Sequence, residues 1–278
     1  MSTRRLILAI CAIATLLFSP TLALAQPTSN VTVAPGEGEI VCWGDSMTEG
    51  IGASPAVIQT DTISYDASYK SYPTILQDLC GVTTYNFGVG GATSSELVAM
   101  QSGELPDEDF YGYDDSLAEL LELGQEHTGD ILILEIGSNG GWDNNYTTLI
   151  SQYRSMIRAS GCKDYLVIGD TDDPGTSMGD RNQDPLKKGQ GLQDTAWEAA
   201  LRRSFGDRFI NMRTYLIKRG LKVCGIRRSG QDKACASFGM VPHALRADWT
   251  HLNSYGYFAQ AFGIYKRGLK LGFWNKML

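Results

Sequence analysis

"IVCWGDSMTEG", residues 40–50, is a short apolar run that stops at Gly44-Asp45-Ser46 and turns away through Thr48, Glu49 and Gly50. A run this short, with β-branched and aromatic members and Gly at its end, reads as a buried strand rather than a helix. The small polar residues behind it suit a tight strand-to-helix turn. Such a turn sets a serine hydroxyl at the carboxyl edge of a sheet. An ordinary connection would carry the same residues, so the rest of the chain decides between them.

Working outward, runs of the same kind recur: "EIVCWG" (39–44), "TTYNFG" (83–88), "DILILEIG" (130–137), "DYLVIGD" (164–170) and "RFINM" (208–212). Between them apolar residues fall at helical spacing. Tyr72, Ile75, Leu76 and Leu79 mark one helix, Leu117, Leu120, Leu121 and Leu123 a second, and Leu149, Tyr153, Met156 and Ile157 a third. Near-continuous apolar strands alternating with helices imply a parallel sheet covered on both faces. Connections entering strands are short, as in "GVT" and "HTGD". Those leaving strands are long, at 89–114, 137–146, 171–191 and 221–250. In an open α/β sheet, ligands bind outside the carboxyl ends of the strands. The irregular residues are concentrated at that edge.

The 278 residues are enough for one large domain with a real core. Arg4 and Arg5, the apolar run "LILAICAIATLLF" and "ALA" at 23–25 have the order of a cleaved secretory signal. The expected organisation is a signal peptide at 1–25, a polar leader at 26–37 and one domain at 38–278. Export to the periplasm or the extracellular space follows, with no membrane span in the mature form. Without Arg4 and Arg5 the chain holds 22 Lys and Arg against 31 Asp and Glu. That acidic balance argues against nucleic acid or an anionic membrane as partner. Five cysteines remain after the signal, an odd number for an exported protein. Cys224 and Cys235 bracket a short Gly/Ser/charged loop and are the expected disulfide. A zinc site from Cys224, Cys235, His243 and His251 is disfavoured, because the gaps are wider than structural zinc spacings. The acidic stretch "PDEDFYGYDD" (106–115) lacks the ligand spacing of a calcium loop. No metal and no cofactor is expected.

Four segments converge on the carboxyl edge: Ser46 after the first strand, "NFGVGGATS" after the second, "EIGSNGGW" with Asn139 after the third, and "DWTHLNSYGY" with Asp248 and His251 near the end. Acyl transfer by a serine needs an imidazole to take its proton and a carboxylate to hold that imidazole. It also needs fixed donors for the oxyanion. In these blocks and their order the chain resembles the SGNH hydrolases, or GDSL esterases and lipases, from about residue 38 to 270. The resemblance implies a three-layer α/β/α sandwich with a five-stranded parallel sheet, flavodoxin-like in architecture. It implies Ser46 as nucleophile, His251 as base and Asp248 as its orienting carboxylate. Ser46, Gly91 and Asn139 would form the oxyanion hole, with Gly91 preferred to Gly90 because Ala92-Thr93 follows it. One departure is Gly140 after Asn139, where the family often has Asp.

The expected activity is a secreted esterase that removes a short acyl group, acetyl first, from a carbohydrate. The outgoing loops are polar, with interspersed aromatics suited to a sugar ring. Asp45, Trp142, Tyr146, Trp249 and His243 are the candidate substrate contacts. Longer-chain lipase, lysophospholipase or thioesterase activity, O-acyl transfer, and a non-catalytic glycan-binding module stand as alternatives. His127 reads as a helix-end cation and Trp43 as core.

Overall fold

The computed structural model describes residues 38–104, 115–171 and 186–276. The expected signal peptide, the leader and the acidic stretch at 106–114 lie outside them. β1 (Glu39–Gly44) leads into the single-turn α1 (Ser46–Glu49), then a small hairpin of β2 (Val57–Gln59) and β3 (Ser64–Asp66). There follow α2 (Tyr72–Cys80), β4 (Thr83–Gly88), α3 (Ser94–Gln101), α4 (Asp115–Glu126), β5 (Ile131–Glu135), α5 (Tyr146–Ser160) and β6 (Asp164–Ile168). The carboxyl half adds α6 (Ala196–Phe205), β7 (Phe209–Ile210), α7 (Met212–Tyr215), α8 (Leu221–Val223), α9 (Gly230–Ser237), α10 (Ser254–Leu271) and α11 (Phe273–Lys276). The five strands read from the sequence form one parallel sheet in the order β4-β1-β5-β6-β7. The alternation of apolar runs did not reveal the β2–β3 hairpin, whose strands are three residues each.

Strand pleating divides the core in two. Ile40 and Cys42 of β1 pack with Ile131, Ile133, Leu166 and Ile168 against α2 and α10. Val41 and Trp43, with Leu132, Leu134 and Val167, pack on the other face against α3, α4, α5 and α6. Both faces are covered, so the interiors of the central strands are near-continuous apolar runs, as expected of doubly covered parallel strands. This is the expected three-layer α/β/α sandwich, in the flavodoxin-like strand order. From β1 the chain crosses to β4 on one side, and from β4 to β5 on the other. The strand order reverses there, and the carboxyl ends of these three strands frame a crevice.

Among the described residues, Cys224 and Cys235 are free thiols and not a disulfide. The segment between them is not an open loop. It contains α9, fixed by a capping box between Ser229 and Asp232. Cys224 Sγ donates to the Tyr255 carbonyl at 3.1 Å, and Cys235 Sγ accepts from Arg246 at 3.8 Å. Each sulfur is engaged with a different neighbour.

Candidate active site

Ser46 opens α1, directly past the carboxyl end of β1. Asp45 is the N-cap of that turn, and its Oδ1 accepts from the Met47 amide at 3.0 Å; such a cap contributes about 1 kcal/mol. Asp45 is buried and does not face the crevice, so the expectation of a substrate contact there is corrected. Its second oxygen meets no partner among the described residues. Burial, aided by repulsion from Asp170 and Glu49 and opposed by the Met47 amide, pushes its carboxyl up to about 7. Glu135, at the end of β5, is likewise buried and raised, by burial first and then by Asp45 and Asp170. α1 lies hard against β4: a Cβ on Gly88 would stand 2.0 Å from the Glu49 nitrogen. Only glycine lets the serine turn sit so low on the sheet.

His251 comes from the long loop before α10. Its Nε2 is 3.0 Å from Ser46 Oγ and its Nδ1 is 2.9 Å from Asp248 Oδ2. The backbone amides of Thr250 and His251 donate to Asp248 Oδ1 at 2.8 and 2.7 Å. Burial raises the Asp248 pKa, but these bonds and the imidazole outweigh it and hold the carboxyl below the usual range. Asn253, the N-cap of α10, donates from Nδ2 to the carbonyls of Ala244 and Arg246 and so ties the loop to itself. The turn after α1 completes the support. Ser54 N donates to Ser254 Oγ, and Tyr257 Oη donates to the Ile51 carbonyl. In this turn Gly52 has φ of 89°, and a Cβ there would meet the Leu252 carbonyl at 2.7 Å and His251 Cβ at 3.0 Å. Its lack of a side chain lets the serine turn and the histidine loop touch.

The remaining donors come from two loops bound to each other. Thr93 and Glu96 form a capping box that starts α3 immediately after Gly91-Ala92. Asn139 Nδ2 donates to the Ala92 carbonyl at 3.1 Å, Ser94 N donates to Gly140 O at 3.0 Å, and Gln152 Nε2 donates to Gly141 O at 2.7 Å. The Asn139 amide keeps a second N–H, and the Gly91 amide has no acceptor among the described residues. The Gly90 amide instead favours the Glu49 carboxylate.

These groups line a cavity of about 690 Å³ that contains Ser46, Gly91, Asn139 and His251. One wall is apolar, made of Ile51, Val89, Leu117 and Leu120; Glu49 stands on the polar side. Sequence reasoning had not placed Glu49 or that wall. The sequence marks Leu117 and Leu120 only as a helix face, and nothing local shows that this face borders the crevice. Burial raises the Glu49 pKa, opposed by the Gly90 amide and His251.

Three expected substrate contacts do not reach this cavity. Trp142 is buried, donates from Nε1 to the Gly137 carbonyl at 2.9 Å and packs on Trp197. Tyr146 stacks on Trp142 at 5.3 Å. Both hold the Asn139 loop down. His243 is exposed on the single turn His243–Leu245 and is not part of the lining. Trp249 is also outside the lining, but it is 66% exposed beside Asp248, with the Arg246 guanidinium 5.8 Å from its ring. His127 stacks on Tyr85 and pairs with Glu39.

A family model described as the GDSL-like lipase/acylhydrolase family matches residues 42–259. Comparison with curated proteins found no match. Among solved structures, the chain is similar to a carbohydrate esterase family 2 enzyme with a carbohydrate-binding domain from Corynascus thermopiles (11% identity, 88% of this chain and 69% of that one, TM-score 0.49). It is also similar to a family 3 carbohydrate esterase from Clostridium thermocellum (14%, 84% and 96%, 0.46). A third likeness is to an acetylxylan esterase from Geobacillus stearothermophilus (15%, 85% and 96%, 0.45).

Proposed function

The chain belongs to the GDSL-like lipase/acylhydrolase family, and from that premise we propose that it is an exported serine esterase working through an acyl-enzyme. The observation that carries the reading is the hydrogen-bonded row from Ser46 through His251 to Asp248, at 3.0 and 2.9 Å, open to a cavity. His251 takes the Ser46 proton as Oγ attacks the ester carbonyl. The resulting oxyanion is met by the amides of Ser46 and Gly91 and by the Asn139 side chain. His251 then passes the proton to the leaving alcohol, and water, activated by the same ring, releases the acid. A pure binding module needs no such proton relay. The signal-like segment at 1–25 supports export. Among the described residues no helix is long and apolar enough to cross a membrane.

The proposed substrate is a short acyl ester, acetyl first, on a carbohydrate. The exposed Trp249 beside the relay supports it, since an aromatic face suits the apolar face of a sugar ring. A second reading has its own observation: the wall of Ile51, Val89, Leu117 and Leu120 would also receive a longer acyl chain. A serine-directed phosphonate should modify Ser46 stoichiometrically, and Ser46→Ala should abolish labelling and ester hydrolysis while the protein stays folded. No labelling of folded protein would end the enzyme reading. A nitrophenyl ester series from acetyl to octanoyl then separates the substrates, because rates rising steadily with chain length would overturn the carbohydrate reading.

A further inference from the structure

The charge of this chain is unevenly placed. Residues 208–278 hold 13 of the 24 Lys and Arg but only two of the 31 Asp and Glu, Asp232 and Asp248. Several of these cations surround a second cavity, of about 760 Å³, on the flank of the molecule formed by α10 and the β2–β3 hairpin. Arg219, Lys222 and Lys266 stand round it, Ile63, Val223 and the rings of Tyr215 and Phe262 supply its apolar lining, and Asp61 is its one carboxylate among the described residues. A shallower hollow adjoins it, shares Lys222 and Gly225 with it, and adds Lys218, Arg227 and Arg228. All six cations are exposed. Among the described residues none of them has a carboxylate within ion-pair distance, whereas Arg202, Arg208, Arg213 and Lys270 do. Unpaired like charges gathered on one face of an acidic protein repel one another and gain no stability from that placement.

The backbone under them is also unusual. Between α7 and α8 the chain winds as a π-turn, Leu216–Gly220, which carries Lys218 and Arg219. Such turns are rare and occur frequently at functional sites, because the extra residue re-aims the side chains around it. The cavity is distinct from the crevice at Ser46, and the two share no lining residue. Phe262 lies eight residues into α10, about 12 Å along the axis from the end next to His251.

We infer that this groove is a second binding site, for an anionic oligosaccharide bearing carboxylates along its chain. The cations are spread over two joined hollows rather than focused on one point, which fits single charges repeated along a polymer better than one phosphate group. Guanidinium and ammonium groups pair with carboxylates, and the partly exposed rings of Tyr215 and Phe262 give a sugar face something to pack on. The cations ring a concavity, which a flat bilayer does not enter. A site here would hold an acidic polysaccharide beside the enzyme while its esters are presented elsewhere on the surface.

Calorimetric titration with oligogalacturonate tests this, with neutral oligogalactan and short oligodeoxythymidine as comparisons. The expected result is binding of oligogalacturonate that weakens at high salt, with little binding of the neutral chain. The double variant Arg219→Glu/Lys222→Glu should lose at least about 10-fold in affinity, and Lys222→Gln/Lys266→Gln should lose less, with nitrophenyl acetate hydrolysis unchanged in both. Ser46→Ala should bind as the wild type does, so the result does not depend on the esterase reading. No binding by the wild-type protein, equal binding of the neutral chain, tighter binding of the oligonucleotide, or full affinity in both double variants would overturn the proposal.

Discussion

Two hydrogen-bonded pairs of similar length, each with a carboxylate, lie in the carboxyl part of the chain and serve opposite ends. Arg213 and Glu198 meet at 2.7 Å with side chains 2% and 5% exposed. His251 and Asp248 meet at 2.9 Å with side chains 20% and 51% exposed. Arg213 places all five of its N–H donors: two on Glu198 and the others on the carbonyls of Gly191, Gly239 and Gln193. Nothing is left over for a ligand, and the pair joins α6 and α7 to the connection before α6 and the end of α9. His251 places one nitrogen on Asp248 and keeps the other for Ser46. A pair whose hydrogen bonds are all internal and dry fixes structure. A pair left with one free site at the edge of a cavity can move a proton.

If that contrast holds, the two pairs should fail in different ways. His251→Ala should lower kcat/KM for nitrophenyl acetate by about 1,000-fold or more and leave the melting temperature near that of the wild type. A large fall in melting temperature would show that the exposed pair is structural after all. Arg213→Ala should do the reverse. Removing one partner of a buried pair costs about 3–5 kcal/mol, visible as a lower urea midpoint, while the fraction still folded keeps its turnover. A folded variant with normal stability and lost activity would break the comparison from the other side.

Asp248→Asn sharpens it. The carboxylate is half in solvent, which screens its charge, and the Ala247 amide also holds the His251 carbonyl at 2.9 Å. The loss should therefore be smaller than for His251→Ala, by about 10-fold or more, and equal losses would contradict this ranking. Asp45→Asn should have the smallest effect and read out in pH. The folded chain keeps the Asp45 proton up to about pH 7, against an ordinary value of 3.8. Folding is therefore favoured most below the ordinary value, and stability declines as pH rises from about 4 to about 7. The variant should flatten that part of the curve, as measured by urea unfolding at several pH values. An unchanged slope would place the titration on another group.

Much of this was legible in the sequence for a local reason. A strand covered on both faces must be apolar through its interior, so "IVCW", "ILIL" and "LVI" announce themselves, and the long outgoing loops mark the sheet edge. Ser46, Asn139, Asp248 and His251 could be picked out because a fixed chemistry needs those residue types, in blocks that keep their order. Trp142 and Tyr146 misled because aromatic residues near a site look alike whether they face a ligand or brace a loop. The Cys224–Cys235 pairing misled because spacing cannot show that Cys235 sits within a helix and that the two sulfurs engage different neighbours.

By itself, then, the chain determined its layers, the sheet edge that carries the long loops and the residue types on that edge, since periodicity and turn chemistry are properties of neighbours in sequence. Folding alone decided which of these residues meet. It set His251 beside a serine 205 positions away, turned Leu117 and Leu120 into a cavity wall, buried Asp45 beneath Ser46, and brought Lys266 to the cations of the π-turn. Contacts between distant segments depend on how whole helices settle on the sheet. No local pattern encodes that, because the packing that fixes it exists only once both layers are in place.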